Sequence, residues 1–311
     1  MPLFPVLLLL AAVILVNGWT DAPNAIATPV AAGVLPFPAA AALAAVCNFL
    51  GVICTAAVSD AVARTLYSIA DFGPHALTAL TAALTATVLW AVIAWLFSIP
   101  TSESHALIAG LTGAALALGT GHLRLGPLLQ VAFGLVLSLA LGAALGHLFQ
   151  RLLPHSRKAL YQSGQLVGAA LTAFLHGAQD GQKFLGILAL VLTLQAGEYI
   201  LPPWANWTCA VLMALGTLIG GRRIIDTVGR KMVLLPPRSG FAAELGCAVT
   251  LAACTLWGFP VSTTHAKTAA ILGAGTSPNA KVAGSLGAAW LLTFPVCGFL
   301  AFSLVKCFLL W

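Results

Sequence analysis

Long apolar runs alternate with short polar intervals along this chain, in a rhythm that repeats once. Runs near 3–16, 38–58, 76–99, 104–120 and 125–150 are followed by runs near 166–194, 204–221, 242–259, 266–276 and 284–310. The polar interval from Arg151 to Gln165 separates the two sets. A bilayer core takes roughly 20 apolar residues per helix, so the pattern predicts an all-α polytopic membrane protein with about 10–12 membrane segments. It divides into a first repeat over 1–150, a connecting loop over 151–165 and a second repeat over 166–311.

Polar residues break the runs at corresponding places in each half. Asn17-Gly-Trp-Thr20-Asp21-Ala-Pro-Asn24-Ala-Ile-Ala-Thr28 matches His176-Gly-Ala-Gln179-Asp180-Gly-Gln182-Lys183 at an offset of 159. Ile99-Pro-Thr-Ser102-Glu103-Ser104-His105-Ala matches Phe259-Pro-Val-Ser262-Thr263-Thr264-His265-Ala at an offset of 160. Two motifs in one order and nearly one register imply duplication. Glycines and prolines in these segments (Gly18, Pro23, Pro100, Gly177, Gly181, Pro260) predict helix breaks near 17–28 and 176–183 and before the two Ser/Thr runs. In lipid, broken backbone survives only when it is buried in protein or lines a cavity.

The chemistry of the breaks suggests their occupant. Ser102, Ser104, Ser262, Thr263 and Thr264 are good helix N-cap residues, and a half-helix starting there points N–H groups and a positive dipole end at whatever lies ahead. An oxyanion suits that position. Intramembrane Asp21 and Asp180 are functional candidates because an unpaired carboxylate at that depth costs several kcal/mol. His105 and His265 can serve function or merely hold the turn. Lys183, three residues after Asp180, can neutralise that carboxylate or touch an anion. Glu103 and Lys267 break the symmetry with opposite charges. They can pair across the repeat interface, the ammonium standing in for a coupling cation, or Lys267 can snorkel or pair locally. Discontinuous helices at matching positions of two halves are the mark of a secondary transporter with a site near the midplane.

Composition narrows the classes further. Of 311 residues 60% are hydrophobic and 7% charged, against about a quarter charged in soluble proteins. The net charge of +6 lies in loops and forms no basic groove, which excludes nucleic acid as a partner. Arg151, Arg157 and Lys158, and Arg222, Arg223, Arg230, Lys231 and Arg238, mark two loops expected to be cytoplasmic. Counting crossings from them places both termini outside and puts the halves in inverted topology. Seven cysteines lie in apolar runs and read as small hydrophobes. The run Leu3–Val16 has no positive leader or small-residue cleavage site and reads as a first span.

On these motifs the chain resembles the inorganic phosphate transporter (PiT) family, and its basic segment Gly221–Lys231 is similar to the family's loop. The resemblance implies a symporter that carries phosphate into the cell with H+ or Na+, built from two inverted halves and using no other cofactor. It assigns substrate and ion binding to Asp21, Asn24, Thr28, Asp180, Gln182, Ser102, Ser104, Ser262, Thr263 and Thr264, with Asp21 and Asp180 as the places for sodium, should sodium be the coupling ion. Thr20 and Gln179 stand where the family has Asn or His before the aspartate. With Glu103, His105, Lys183, His265 and Lys267 they form a coupling or charge-balancing set. A bacterial inner membrane is the expected location, and monomer and homodimer both stay open. A sulfate or related oxyanion permease is the rival within transport. An intramembrane enzyme is more remote, because no H-E-x-x-H run or clustered metal ligand set is present and no catalytic residue is assigned.

Overall fold

The structure is a computed structural model that describes residues 2–119, 123–155 and 158–310. It is helical: α1 (Leu3–Thr20), α2 (Ala27–Ala31), α3 (Phe37–Ala56), α4 (Ala61–Tyr67), α5 (Ala76–Leu96), α6 (Glu103–Leu118) and α7 (Leu125–Leu152) precede α8 (Lys158–Ala196), α9 (Pro203–Ile219), α10 (Arg222–Asp226), α11 (Pro237–Leu256), α12 (Thr263–Ala274) and α13 (Ala280–Phe308). A 3-10 stretch, Ala22–Ile26, joins α1 to α2. Each of the ten apolar runs became a helix. Among the described residues six helical segments are long and apolar enough to cross a membrane, and α9 with the segment after it forms a broken pair bent by 63°. Large apolar side chains such as Leu129, Phe133, Val136, Leu291 and Phe299 face outward. A multi-pass membrane protein is the form in which such a surface is solvated.

The helices that follow the two Ser/Thr runs, α6 and α12, are too short to cross. At 1.5 Å per residue the 16 residues of α6 and the 12 of α12 rise about 24 and 18 Å, against about 30 Å of hydrocarbon. Both begin immediately after a proline-led link, as half-helices.

Packing respects an exchange of halves. α1 packs on α9 as α8 packs on α3; α7 packs on α12 as α13 packs on α6; and α5 and α11 sit in equivalent places against α1 and α8. Small residues permit the crossings. A Cβ on Gly18 would strike the Met213 carbonyl and one on Gly177 the Asn48 carbonyl, so these backbones touch directly, as helices do in lipid.

Two expectations about backbone need correction. The break expected at 176–183 is absent, because α8 runs unbroken for 39 residues. No proline interrupts it, and Gly177 and Gly181 serve close approach to α3 rather than a turn. In the first half the break is real: Pro23 enters the 3-10 stretch, and Pro29 has no N–H to continue an α-helical ladder. The connecting loop expected over 151–165 is shorter, since α7 reaches Leu152 and α8 starts at Lys158. Arg157 lies outside the described residues. Arg238, entering α11, donates to the carbonyls of Gln150 and Leu153 (2.8 Å for the latter), which brings both basic segments to one end of the bundle.

Candidate functional site between two half-helices

The two Ser/Thr runs meet tip to tip. Ser102 and Ser262 have extended backbones (ψ 113° and 118°), and the hydroxyl of each accepts the N–H three residues on, from His105 at 3.4 Å and His265 at 3.1 Å. These are N-caps. The Ser262 hydroxyl then donates to the Ser102 hydroxyl at 2.8 Å. Two positive dipole ends therefore converge on one buried point, an arrangement that favours negative charge.

Three carboxylates surround that point, all buried. Asp21, at the α1 break, accepts from the Thr264 hydroxyl and from Asn24 Nδ2 at 3.0 Å. Asp180 Oδ2, on α8, accepts from Asn17 Nδ2 at 3.1 Å, with Thr263 Oγ1 and His176 Nε2 both 3.5 Å away. Glu103, the first residue of α6, accepts from the Thr20 hydroxyl and a longer 3.5 Å contact from Asn17. One ammonium answers them: Lys183 Nζ lies 2.5 Å from Asp180 Oδ1, 2.6 Å from Ser104 Oγ and 2.5 Å from the Val261 carbonyl. Of the two roles open to Lys183, this geometry takes neutralisation of Asp180.

Other candidates fall elsewhere. Gln182 Oε1 accepts the Val62 N–H at 3.1 Å, and Gln179 Nε2 donates to the Phe259 carbonyl at 3.0 Å, so both hold backbone of neighbouring segments. The rings of His105 and His265 pack 4.2 Å apart between Phe294 and Trp290. Thr28 donates to Glu244, away from Asp21. The Glu103–Lys267 pair is not formed. Lys267 stands one turn beyond Thr263 along α12, where its Nζ lies 2.5 Å from Glu244 Oε1 and 3.3 Å from the Ala25 carbonyl, whereas Glu103 turns toward α1.

Sequence reading passed over several of these partners. Glu244 is a carboxylate inside an apolar run, which is itself a signal; it holds Thr28, Lys267 and, at 2.8 Å, Thr172. Asn48 on α3 links Thr217 (3.1 Å) to His176 Nδ1 (2.8 Å) and so to Asp180. Thr172 carried no signal, since a lone threonine in a membrane helix usually bonds its own backbone. Among the described residues, Asp21, His176 and Asp180 offer atoms within 4.8 Å of one another that a cation can bind. The set joins two carboxylate oxygens to an imidazole nitrogen, and Lys183 already holds one Asp180 oxygen.

Comparison with known proteins agrees with this architecture. A model of the phosphate transporter family matches residues 17–159 and 150–301. The chain is 39% identical over 320 residues to a probable low-affinity inorganic phosphate transporter of Rhizobium meliloti (strain 1021), covering 96% of this chain and 95% of the relative. It is 33% identical over 303 residues to a protein of the same description from Bacillus subtilis (strain 168), covering 90% and 89%. A solved sodium-dependent phosphate transporter superposes with a TM-score of 0.88 at 20% identity, over 99% of each chain. These proteins are carriers rather than enzymes, and the motifs, the half-helices and the family match agree. The chain belongs to the phosphate transporter family.

Proposed function

We propose that this protein imports inorganic phosphate in symport with a cation, H+ or Na+, by alternating access to the junction of α6 and α12. The observation that carries the reading is the contact of two capped half-helix tips, Ser102 to Ser262, amid buried carboxylates. An oxyanion there would face the N–H groups and hydroxyls of Ser104, Thr263 and Thr264. Hydrogen phosphate keeps an O–H that can donate a hydrogen bond to the carboxylate of Asp21 or Asp180, while sulfate has none to donate. Enclosure on every side means that release requires the halves to move. In this reading the halves 1–150 and 166–311 are inverted repeats that rock against each other, as broken-helix transporters do. The relatives' descriptions, low-affinity inorganic phosphate transport and sodium-dependent phosphate transport, support phosphate and leave both ions in play. A bacterial inner membrane with both termini outside agrees with the two basic segments meeting at one end of the bundle, and the reading holds for monomer or homodimer.

Uptake of labelled phosphate into proteoliposomes, with sodium and proton gradients imposed separately, tests this. Uptake driven by one gradient and blocked by arsenate but not by sulfate is the expected result. Sulfate uptake without phosphate uptake would overturn the substrate.

A further inference from the structure

Two ammonium groups, Lys183 and Lys267, are buried in this core at 1% exposure each. Their surroundings share a composition. Lys183 Nζ meets a carboxylate oxygen, a hydroxyl and the carbonyl of Val261, which lies in the extended link between Pro260 and the Ser262 cap. Lys267 Nζ meets the Glu244 carboxylate and the Ala25 carbonyl. Ala25 belongs to the 3-10 stretch, and the residue four places on, whose N–H would satisfy its carbonyl in an α-helix, is Pro29. In both places oxygens from separate elements converge, and one is a carbonyl freed by broken backbone.

Carboxylate, hydroxyl and unwound-helix carbonyl oxygens form the ligand set that transporter cores offer to alkali cations. An ammonium on a lysine stem supplies the same single charge and hydrogen-bonds to the same oxygens, but it cannot leave. We propose that Lys183 and Lys267 are built-in cations, each ammonium filling an alkali-cation site of the core, and that removing the lysine turns the place it vacates into a sodium site. Charge supports the assignment. Glu244 has Lys267 as its cation, and without it a carboxylate hydrogen-bonded by Thr28 and Thr172 would lie unpaired in the membrane. Asp180 has Lys183 in the same sense. The mobile charge of symport is then left to Asp21 and Glu103, which no lysine contacts in the hydrogen bonds and ion pairs of the described residues. That last step rests on the symport reading above; the two sites do not.

The test is thermal unfolding of purified protein in sodium chloride against choline chloride at equal ionic strength. Lys267→Ala is expected to unfold about 3 °C or more higher in sodium, a response beyond that of the wild type. Glu244→Gln/Lys267→Ala is expected to lose that extra response, because the carboxylate that holds the ion is gone. Lys183→Ala and Asp180→Asn/Lys183→Ala provide the same comparison at the other site. Single variants that respond to sodium no more than the wild type would overturn the proposal. So would single variants that cannot be purified in sodium, ammonium or choline alike, because a vacated cation site would be refilled. The readout does not depend on transport, so a wild type that fails to carry phosphate would defeat the symport reading and leave this measurement decisive.

Discussion

Asp21 is a fully buried carboxylate at a break in the backbone. It sits where α1 gives way to a 3-10 stretch and takes hydrogen bonds from Asn24 beside it and from Thr264 across the half-helix junction. Asp21→Asn keeps the shape and removes the charge, so phosphate uptake is expected to fall about tenfold or more at unchanged membrane level, the loss of charge-assisted bonds. Asp180 and Lys183 behave differently because each neutralises the other. In sodium-free medium, Asp180→Ala or Lys183→Ala alone leaves an unpaired buried charge, expected to cost about 3–5 kcal/mol. Asp180→Asn/Lys183→Met should recover much of that loss, as read by thermal unfolding in detergent. These residues were legible because polar groups in apolar runs announce themselves. Glu244 announced itself equally, but it lies outside the repeated motifs, and attention to repetition passed over it. The partner of Lys267 could not be read from one dimension, since α11, α12 and the 3-10 stretch meet only in the folded bundle.

At the scale of elements the Ser/Thr runs were the clearest signal. Proline, a cap residue and then an apolar run specify where a half-helix begins, and both caps formed as the spacing required. Each cap contributes about 1 kcal/mol. Because the two hydroxyls also touch, Ser102→Ala/Ser262→Ala should lose a different amount from the sum of the single variants, a coupling of about 0.5–3 kcal/mol measurable in a double-mutant cycle. The 176–183 segment shows where motif reading fails. Glycine serves a break and a close helix crossing equally well, and only the absence of proline favours the crossing that α8 makes with α3. Gly177→Leu is accordingly expected to force these helices apart at the Asn48 carbonyl and to abolish recovery of folded protein, seen as loss of the monodisperse peak in size-exclusion chromatography.

Across the whole molecule, the duplicated rhythm became an exchange of contacts in which α1 on α9 mirrors α8 on α3, and α7 on α12 mirrors α13 on α6. Such an arrangement places the two half-helix tips opposite each other, so one motif written twice yields one junction with two walls. The walls differ in charge, with Glu103 on one and Thr263 on the other. That asymmetry was visible in the sequence, whereas its outcome was set by which neighbours lay within reach. Phosphate binding at this junction is tested directly by equilibrium binding of labelled phosphate to purified wild type and to Ser102→Ala/Ser262→Ala, both checked for folding. Saturable binding that arsenate displaces, weakened about tenfold or more in the folded double variant, is the expected result. Equal affinity in the two proteins would contradict the placement of the anion between the half-helices.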